Sequence, residues 1–339
     1  MSIESSPVIT IAIVNYNAGG MLAECLRALQ LQDMEDFSVV VVDNASEDDS
    51  LANLPEDPRF TIIHSEENMG FAAANNRALL DANTTWVATL NPDTKPAVNW
   101  LSSLLYAAEQ HPDVVMFGSS QLNADNPEFA DGFGDEYFCS GICWRRGNGA
   151  PTPAELPGGE VFAPCAAAAM YRTDWYQKMD GFCERFFCYV EDIDLAFRIR
   201  LAGGSCLQVP SAVVFHHGYA ITGNRSDFTM YHCTRNMIWT YLRCMPLPLL
   251  LLTLPLHVGM VAFIYLWSIK QGRNKPVGRG IYDGIKAIRT SLHERRTIQL
   301  THTASTANIA SAMIWNPLQI IKWRKRVAQR NGRLSLLNK

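Results

Sequence analysis

The sequence predicts an α/β fold, a mostly parallel sheet with helices on both faces, followed by a helical C-terminal region that is first apolar and then basic. Short β-branched runs alternate with segments of helical period through the first two-thirds of the chain. Polar clusters close those runs, where ligands bind in open parallel sheets. Beyond residue 245 both hydropathy and charge change abruptly. The 339 residues suggest about two domains at roughly 150 residues each. An apolar content of 48% with only 18% charged residues is enough for a large core and excludes disorder as the main state.

The elements follow in order. Val8–Val14 is a short apolar, β-branched run broken at Asn15 and Gly19-Gly20, and reads as a buried strand. From Met21 to Gln30 the spacing becomes helical, with Leu22, Leu26 and Leu29 on one face. Phe37–Val42 is a second strand ending in Asp43-Asn44, and Thr61–Ile63 a third. A helix over Ala72–Leu80 leads to a strand at Trp86–Leu90, which stops at Asn91-Pro92-Asp93. A helix over Val98–Gln110 and a strand at Val114–Phe117 follow. Residues 119–160 are rich in Gly, Pro and Asn without period, so a variable loop over the site is expected there. Order resumes at Ala163–Tyr171, then a helix from Asp192 to Ala202 and two strands, Cys206–Val209 and Ala212–Phe215. Alternation of this kind implies βαβ units and a sheet covered on both faces.

Nine cysteines are scattered without a CxxC pair, and no nearby His or Cys completes a zinc pattern around Cys139 and Cys143. Met1–Pro7 has neither a basic residue nor an apolar run, so no secretory signal and a reducing cytoplasmic setting are expected.

Four polar clusters carry the candidate chemistry: Asp43–Ser46, Asn68–Asn76, Asn91–Asp93 and Glu191–Asp194, with His216-His217 closing a strand. The stretches TIAIVNYNAGG, VVVVDNASEDDS, ENMGFAAANNRALL, LNPDTKP and MDGFCERFFCYVEDIDLAFRIRLAGG, in this order and spacing, resemble the family 2 glycosyltransferases with the GT-A (Rossmann-like) fold. Within that family they resemble the rhamnosyltransferase-type enzymes of bacterial surface polysaccharides. The resemblance covers about Val8 to Gly218.

It implies a nucleoside-diphosphate sugar as donor, a divalent cation (Mg²⁺ or Mn²⁺) and an acceptor hydroxyl to be deprotonated. Asp43 ends a buried strand, where its carboxylate suits the imide N–H of uracil or thymine, though an Asx-turn would place it there too. Asn68, Gly70 and Asn76 bracket a helix entry whose amides suit phosphate or ribose, and Asn15, Asn44 and Asn91 complete the implied donor-binding set. Asp93 matches the last acid of the family's DxD metal motif, with Asn91 where the first would stand; a proline turn is the plain alternative. Glu191-Asp192 resembles the ED motif, which makes Asp192 the expected general base and Glu191 its substitute, while Asp194 fits a capping role. His216 matches a position near the metal or diphosphate, His217 a structural one. Arg235-Asn236 matches a pair placed after the core, with Arg235 either meeting an acceptor diphosphate or lying on a solvent-facing helix.

The C-terminal part bears on location. Pro246–Ile269 holds 24 residues without Asp, Glu, Lys or Arg, long enough at about 1.5 Å per helical residue to cross a bilayer core of about 30 Å. Pro246, Pro248 and Pro255 are expected to interrupt it. Residues 270–339 hold 15 Lys/Arg against 2 Asp/Glu, and residues 1–269 hold 14 against 31. One crossing would separate this basic tail from a catalytic part that needs a cytoplasmic donor, against the positive-inside tendency. A second crossing through 297–321 would strand eight basic residues outside. A monotopic or re-entrant segment at the inner leaflet of a bacterial membrane is therefore expected, with a buried hairpin as the alternative. The expected units are residues 1–225, catalytic, and 226–339, membrane-associating. The function expected is inverting transfer of a sugar, dTDP-rhamnose first, to a lipid-linked or lipopolysaccharide-type glycan. The rivals are a non-catalytic nucleotide-sugar-binding protein and, against the paucity of aromatics in the tail, nucleic-acid binding.

Overall fold

The computed structural model describes residues 7–218 and 226–321. Seven of the basic residues of the tail and the expected unit boundary at 225 lie outside the described residues.

The chain begins β1 (Ile9–Asn15), α1 (Met21–Gln30), β2 (Phe37–Asp43), β3 (Phe60–His64), α2 (Gly70–Leu79), β4 (Trp86–Leu90), β5 (Thr94–Pro96), α3 (Trp100–Gln110). It continues β6 (Met116–Asn123), β7 (Ala130–Phe133), β8 (Asp135–Tyr137), β9 (Cys143–Arg145), β10 (Gly159–Glu160), β11 (Ala168–Arg172), α4 (Thr173–Lys178), α5 (Glu191–Leu201), β12 (Cys206–His216). Among the described residues five helices follow: α6 (Asp227–Cys244), α7 (Leu247–Lys270), α8 (Asn274–Lys286), α9 (Ile288–Leu300) and α10 (Thr306–Ala312).

The main sheet runs β10-β12-β6-β11-β4-β1-β2-β3, with β5 added to β12 and β7 to β6. The β1–β2, β2–β3, β1–β4 and β6–β12 pairs are parallel; β11 runs antiparallel between β4 and β6. Alternation along β1 divides the core. Ile9, Ile11 and Ile13 pack with Leu22 and Leu26 of α1 and Trp100 and Leu104 of α3, while Ala12 and Val14 join Ala72 and Ala78 of α2 and Phe197 of α5.

The expected variable loop is instead built structure. Residues 119–123 extend β6, β7 pairs with it, and β8 and β9 form a hairpin with Tyr137, Phe138 and Trp144 buried. These strands are too short for a period to be legible, and glycines stand where side chains cross: a Cβ on Gly132 would lie 2.1 Å from Arg145. The two strands expected between Cys206 and Phe215 are one, β12, with a register shift between Val209 and Val213 that takes up Pro210.

The prolines do not interrupt α7. Pro246 is its N-cap residue and Pro248 lies in its first turn, where the missing N–H has no helical partner in any case. Pro255 is exposed inside the helix, which continues to Lys270. Nor is α7 enclosed as the buried-hairpin alternative would have it, since only 17% of its most apolar stretch is buried. Behind it α8 lies close on α6, because Gly280 and Gly284 face Tyr231 and Ile238 of α6 where a Cβ would clash.

Candidate active site

The ends of β1 and β2 lie in register, Asn15 beside Asp43, at the carboxyl edge of the sheet. Asn15 Nδ2 donates to Asp43 Oδ1 at 2.9 Å and to Ser50 Oγ at 2.8 Å, which fixes the carboxylate; its own Oδ1 is buried without a hydrogen-bond partner. Asp43 Oδ2 lies 3.8 Å from His64 Nδ1 at the end of β3. Asn44 Nδ2 donates to Asn68 Oδ1 at 2.8 Å, and Asn44 Oδ1 accepts from the Met69 amide at 3.0 Å. Asn68 Oδ1 also accepts from the Gly70 amide at 2.9 Å. Asn44 and Asn68 thus clamp the entry to α2 beside Asp43.

Gly70 has φ +84° and faces Phe187 so closely that a Cβ would lie 2.6 Å from its carbonyl oxygen. No other residue satisfies both requirements. Asn76 belongs to the same seam rather than to a ligand. Its Oδ1 accepts from Tyr176 Oη (2.7 Å) and the Phe182 amide (2.9 Å), and its Nδ2 donates to the Phe182 carbonyl (2.8 Å) and Glu184 Oε1 (3.1 Å). That amide has no hydrogen-bonding capacity left for ribose or phosphate. Arg235 is likewise engaged. It is buried on α6 and donates to the Phe186 carbonyl (2.8 Å), to Asn236 Oδ1 (2.9 Å) and to Tyr231 Oη (3.3 Å). It is buried rather than solvent-facing, and these donors are engaged within the protein.

The second focus lies where β4 and β12 end. Asn91 is tied by its amide to the Ala167 carbonyl at 2.9 Å, and its carbonyl accepts from Thr94 Oγ1 at 2.6 Å. Asp93 is buried and its Oδ1 lies 3.3 Å from His216 Nε2, outside hydrogen-bond geometry; Asn91 Oδ1 is also a buried, unpartnered acceptor. His216 Nδ1 donates to Asp131 Oδ2 at 2.7 Å, and Arg145 pairs with the same carboxylate. Burial opposes the imidazolium of His216, but the Asp93 and Asp131 carboxylates outweigh it and hold the pKa at about 9. Asp93 is lowered in turn: burial raises it, and the charge on His216 prevails. The unpartnered Asn91 Oδ1, the Asp93 carboxylate and His216, whose far nitrogen is fixed by Asp131, fit a hard divalent cation that takes the place of the Nε2 proton. A cavity of about 400 Å³ opens beside Asp93, lined by Met21, Glu24, Lys95, Phe215 and His217.

The third focus is the start of α5. Asp192 is partly exposed; its Oδ2 accepts from the Ala166 amide at 3.2 Å and its Oδ1 from the Ile193 amide at 2.8 Å. Burial raises its pKa against those two hydrogen bonds. Glu191 is buried, its Oε2 has no hydrogen-bond partner, and burial first, then the charge of Asp192, pushes its pKa well up. Asp194, fully buried, is neutralised by Arg198 at 2.8 Å and Arg243 at 3.1 Å. Asp135 and Cys165 bring their ligating atoms within 4.8 Å of the Asp192 carboxylate and of each other. Burial, then Asp192, raises Asp135 to about 7.

The second and third foci share a seam: Ala166 holds Asp192 through its amide, and Ala167 holds Asn91 through its carbonyl. Asp131, Asp135, Arg145 and Cys165 were not singled out from sequence, and Asn236 was noted only as the companion of Arg235. Asp131 and Asp135 stand in ADGFGD, where two acids alternate with buried apolar residues and glycines, the one signal that marked them.

The family model described as glycosyl transferase family 2 matches residues 10–179, half of the chain. The chain is 28% identical over 242 residues to the N-acetylglucosaminyl-diphospho-decaprenol L-rhamnosyltransferase of Mycobacterium tuberculosis, covering 64% of this chain and 78% of that protein. Its fold is similar to that of GalNAc-T7 solved with UDP, GalNAc and Mn²⁺, with a TM-score of 0.57 at 15% identity over 71% of this chain and about half (48%) of that one. It is also similar to the mannosyltransferase PcManGT of Pyrobaculum calidifontis solved with GDP-Man and Mn²⁺, with a TM-score of 0.53 at 18% identity over 88% of this chain and 86% of that one. With the sheet order, the three foci and these likenesses together, the chain belongs to glycosyltransferase family 2 and carries its GT-A type of fold.

Proposed function

We propose that the chain is an inverting transferase that moves L-rhamnose, with dTDP-rhamnose the first donor to try, onto a hydroxyl of a lipid-linked or lipopolysaccharide-type glycan. The observation that carries this reading is the seam at Ala166-Ala167, which ties the acid at the start of α5 to the strand end bearing Asn91 and Asp93. In this reading Asp43 accepts the imide N–H of the nucleotide base, and the clamp of Asn15, Asn44 and Asn68 holds that edge in place. Asp93, His216 and the Asn91 oxygen hold a divalent cation, which when bound neutralises charge on the departing diphosphate. Asp131 keeps the His216 ring turned with Nε2 toward it.

Asp192 takes the proton of the acceptor hydroxyl as that oxygen bonds to the anomeric carbon, and the bond to the nucleoside diphosphate breaks on the opposite face. One displacement with one base inverts the configuration. Its raised pKa makes Asp192 a stronger base than an ordinary carboxylate, and its partial exposure leaves the carboxylate reachable. The mycobacterial relative supports rhamnose and a polyprenyl-diphosphate-linked acceptor.

The acceptor class, the apolar face of α7 and the basic residues beyond it support work at the cytoplasmic face of a bacterial inner membrane. There residues 226–339 attach a catalytic unit, residues 1–225, to anionic lipid rather than to nucleic acid. The test is transfer and hydrolysis by full-length protein across a panel of nucleotide sugars with and without Mn²⁺, with the anomeric configuration of the product read by NMR. Retained configuration overturns inversion, and full activity in EDTA overturns the cation. Silence with every donor overturns the whole reading.

A further inference from the structure

The loop of residues 186–190, which delivers Glu191 and Asp192 to the start of α5, is held in a conformation that its own residues disfavour. Phe187, Tyr189 and Val190 have φ of +66°, +68° and +69°. L-residues avoid this region, β-branched valine most of all. Such a backbone persists only where its surroundings over-determine it.

The surroundings are a pair of side chains on α6. Asn236, fully buried, sets Nδ2 within hydrogen-bond reach of the carbonyls of Phe186 (3.0 Å), Cys188 (2.9 Å) and Tyr189 (2.7 Å), which share its two N–H groups. Arg235 Nη2 donates to the Phe186 carbonyl at 2.8 Å, and Arg235 Nε donates to Asn236 Oδ1 at 2.9 Å, which sets the direction of the amide. The guanidinium is itself sandwiched, 4.3 Å from the Trp239 ring centre and 5.1 Å from that of Tyr231. From the other side the Ala72 amide donates to the Phe187 carbonyl at 3.1 Å, over the space that Gly70 leaves open.

We propose that Asn236, oriented by Arg235, is a positioning residue for the general base: it gathers the carbonyls of the loop and thereby aims Asp192 at the acceptor hydroxyl. The proposal rests on the assignment of Asp192 as base. Both residues lie beyond the segment 10–179 that matches the family model, so the region that carries the apolar helix also completes the catalytic centre. Packing alone does not account for the pair. A buried apolar side chain in place of Asn236 would fill the space but leave the Cys188 and Tyr189 carbonyls unsatisfied, while that of Phe186 keeps the Arg235 guanidinium and the Cys188 amide.

The experiment uses full-length protein in detergent with Asn236→Ala, Asn236→Ser and Arg235→Lys. For Asn236→Ala we expect kcat to fall about 100-fold, the effect of a misplacement of about 1 Å in a catalytic group. The affinity for nucleoside diphosphate with Mn²⁺ should stay within about threefold, a kcat effect without a matching loss of binding. The acidic limb of kcat/KM should move to lower pH as water reaches Asp192, and amide exchange over 186–192 should quicken. Arg235→Lys, which keeps the charge but loses the fork, should fall between wild type and Asn236→Ala. If Asn236→Ala fails to fold, Asn236→Ser retains one donor and is read the same way. A lower Tm with kcat, pH limb and exchange unchanged overturns the proposal, and so does a loss of donor affinity proportional to kcat. If the wild type transfers no sugar, the functional reading has failed, and exchange over 186–192 alone decides whether Asn236 holds the loop.

Discussion

Three acids stand in the first turn of α5, and their surroundings give them three different fates. Asp194 is paired with Arg198 and Arg243, which hold its carboxyl below the usual range despite complete burial. Glu191 is buried without compensation, and Asp192 lies between them, partly exposed and raised. Asp192→Asn should therefore lower kcat by about 10²–10⁴, the range for a lost general base, while calorimetry finds nucleoside-diphosphate affinity intact. A residual kcat above about a tenth of wild type contradicts the role, being far less than that range. Protonation removes the base, so kcat/KM should rise with pH along a limb above the ordinary carboxylate range; a limb near pH 4 would contradict the raised pKa of Asp192. Glu191 makes a separate prediction. Between its ordinary and its raised pKa the unfolded chain is ionised and the folded one protonated, so rising pH costs stability. Glu191→Gln removes that penalty and should raise Tm by about 2–4 °C, the size expected of about 1 kcal/mol in a domain this large, and by more at pH 8 than at pH 5. Melting curves at the two pH values check it; an equal or opposite shift refutes it.

At the scale of elements, legibility followed length and period. β1, β2 and β4 were plain in the sequence because each is a short run dominated by apolar and β-branched residues that ends in a polar cluster, and α1 because Leu22, Leu26 and Leu29 recur on one face. The acids Asp43, Asp93 and Asp192 were legible because each closes a strand or opens a helix. The segment 119–160 was not, since its strands run two to four residues beyond β6 and bury Asp131 and Asp135 beside aromatic residues. Composition alone cannot separate such a segment from a loop. Arg235 was found by its match but not understood, because its work is on a backbone fifty residues earlier. The hidden hairpins matter to chemistry, for Asp131 on β7 joins His216 on β12. Asp131→Asn takes the carboxylate from the ring and removes one negative charge beside Asp93 and Arg145, and both effects disfavour a cation at Asp93. Mn²⁺ affinity in the presence of dTDP should fall about 10–100-fold by calorimetry, as for other lost outer partners of a ligating His. With Asn91 in place of an acid, Mn²⁺ should bind weakly without nucleotide. Unchanged affinity in Asp131→Asn, or tight binding to the nucleotide-free protein, contradicts this account.

For the whole molecule, the decisive feature is that α7 is fastened along one stripe and bare elsewhere. Leu249, Thr253, His257 and Ser268 are buried. His257 Nδ1 donates to the Ser140 carbonyl at 2.7 Å, and its ring stacks on Tyr241 with centres 3.8 Å apart. Thr253 shares a hydrogen bond of 2.8 Å with Tyr241 Oη. A helix clipped to Ser140 and Tyr241 in this way cannot be surrounded by lipid on every side without breaking those contacts. Its remaining surface is apolar, with Leu251 64%, Leu252 68% and Leu266 61% exposed, and Tyr282 and Ile285 of α8 are exposed as well. Lys270, Arg273, Lys275 and Arg279 follow directly, and each basic residue near anionic lipid adds about 1 kcal/mol of attraction. Full-length protein should therefore sediment with vesicles containing anionic lipid and be loosened by 1 M salt, where the screening length falls to about 3 Å, yet not fully released. Replacing Leu251, Leu252 and Leu266 together by Gln should abolish sedimentation with little change in Tm, since these side chains touch water in the free protein. Periplasmic protease on spheroplasts should leave residues 270–296 uncut. Cleavage there would show that α7 crosses the bilayer. Unaltered sedimentation of the triple variant would mean that its bare face is not what meets the lipid.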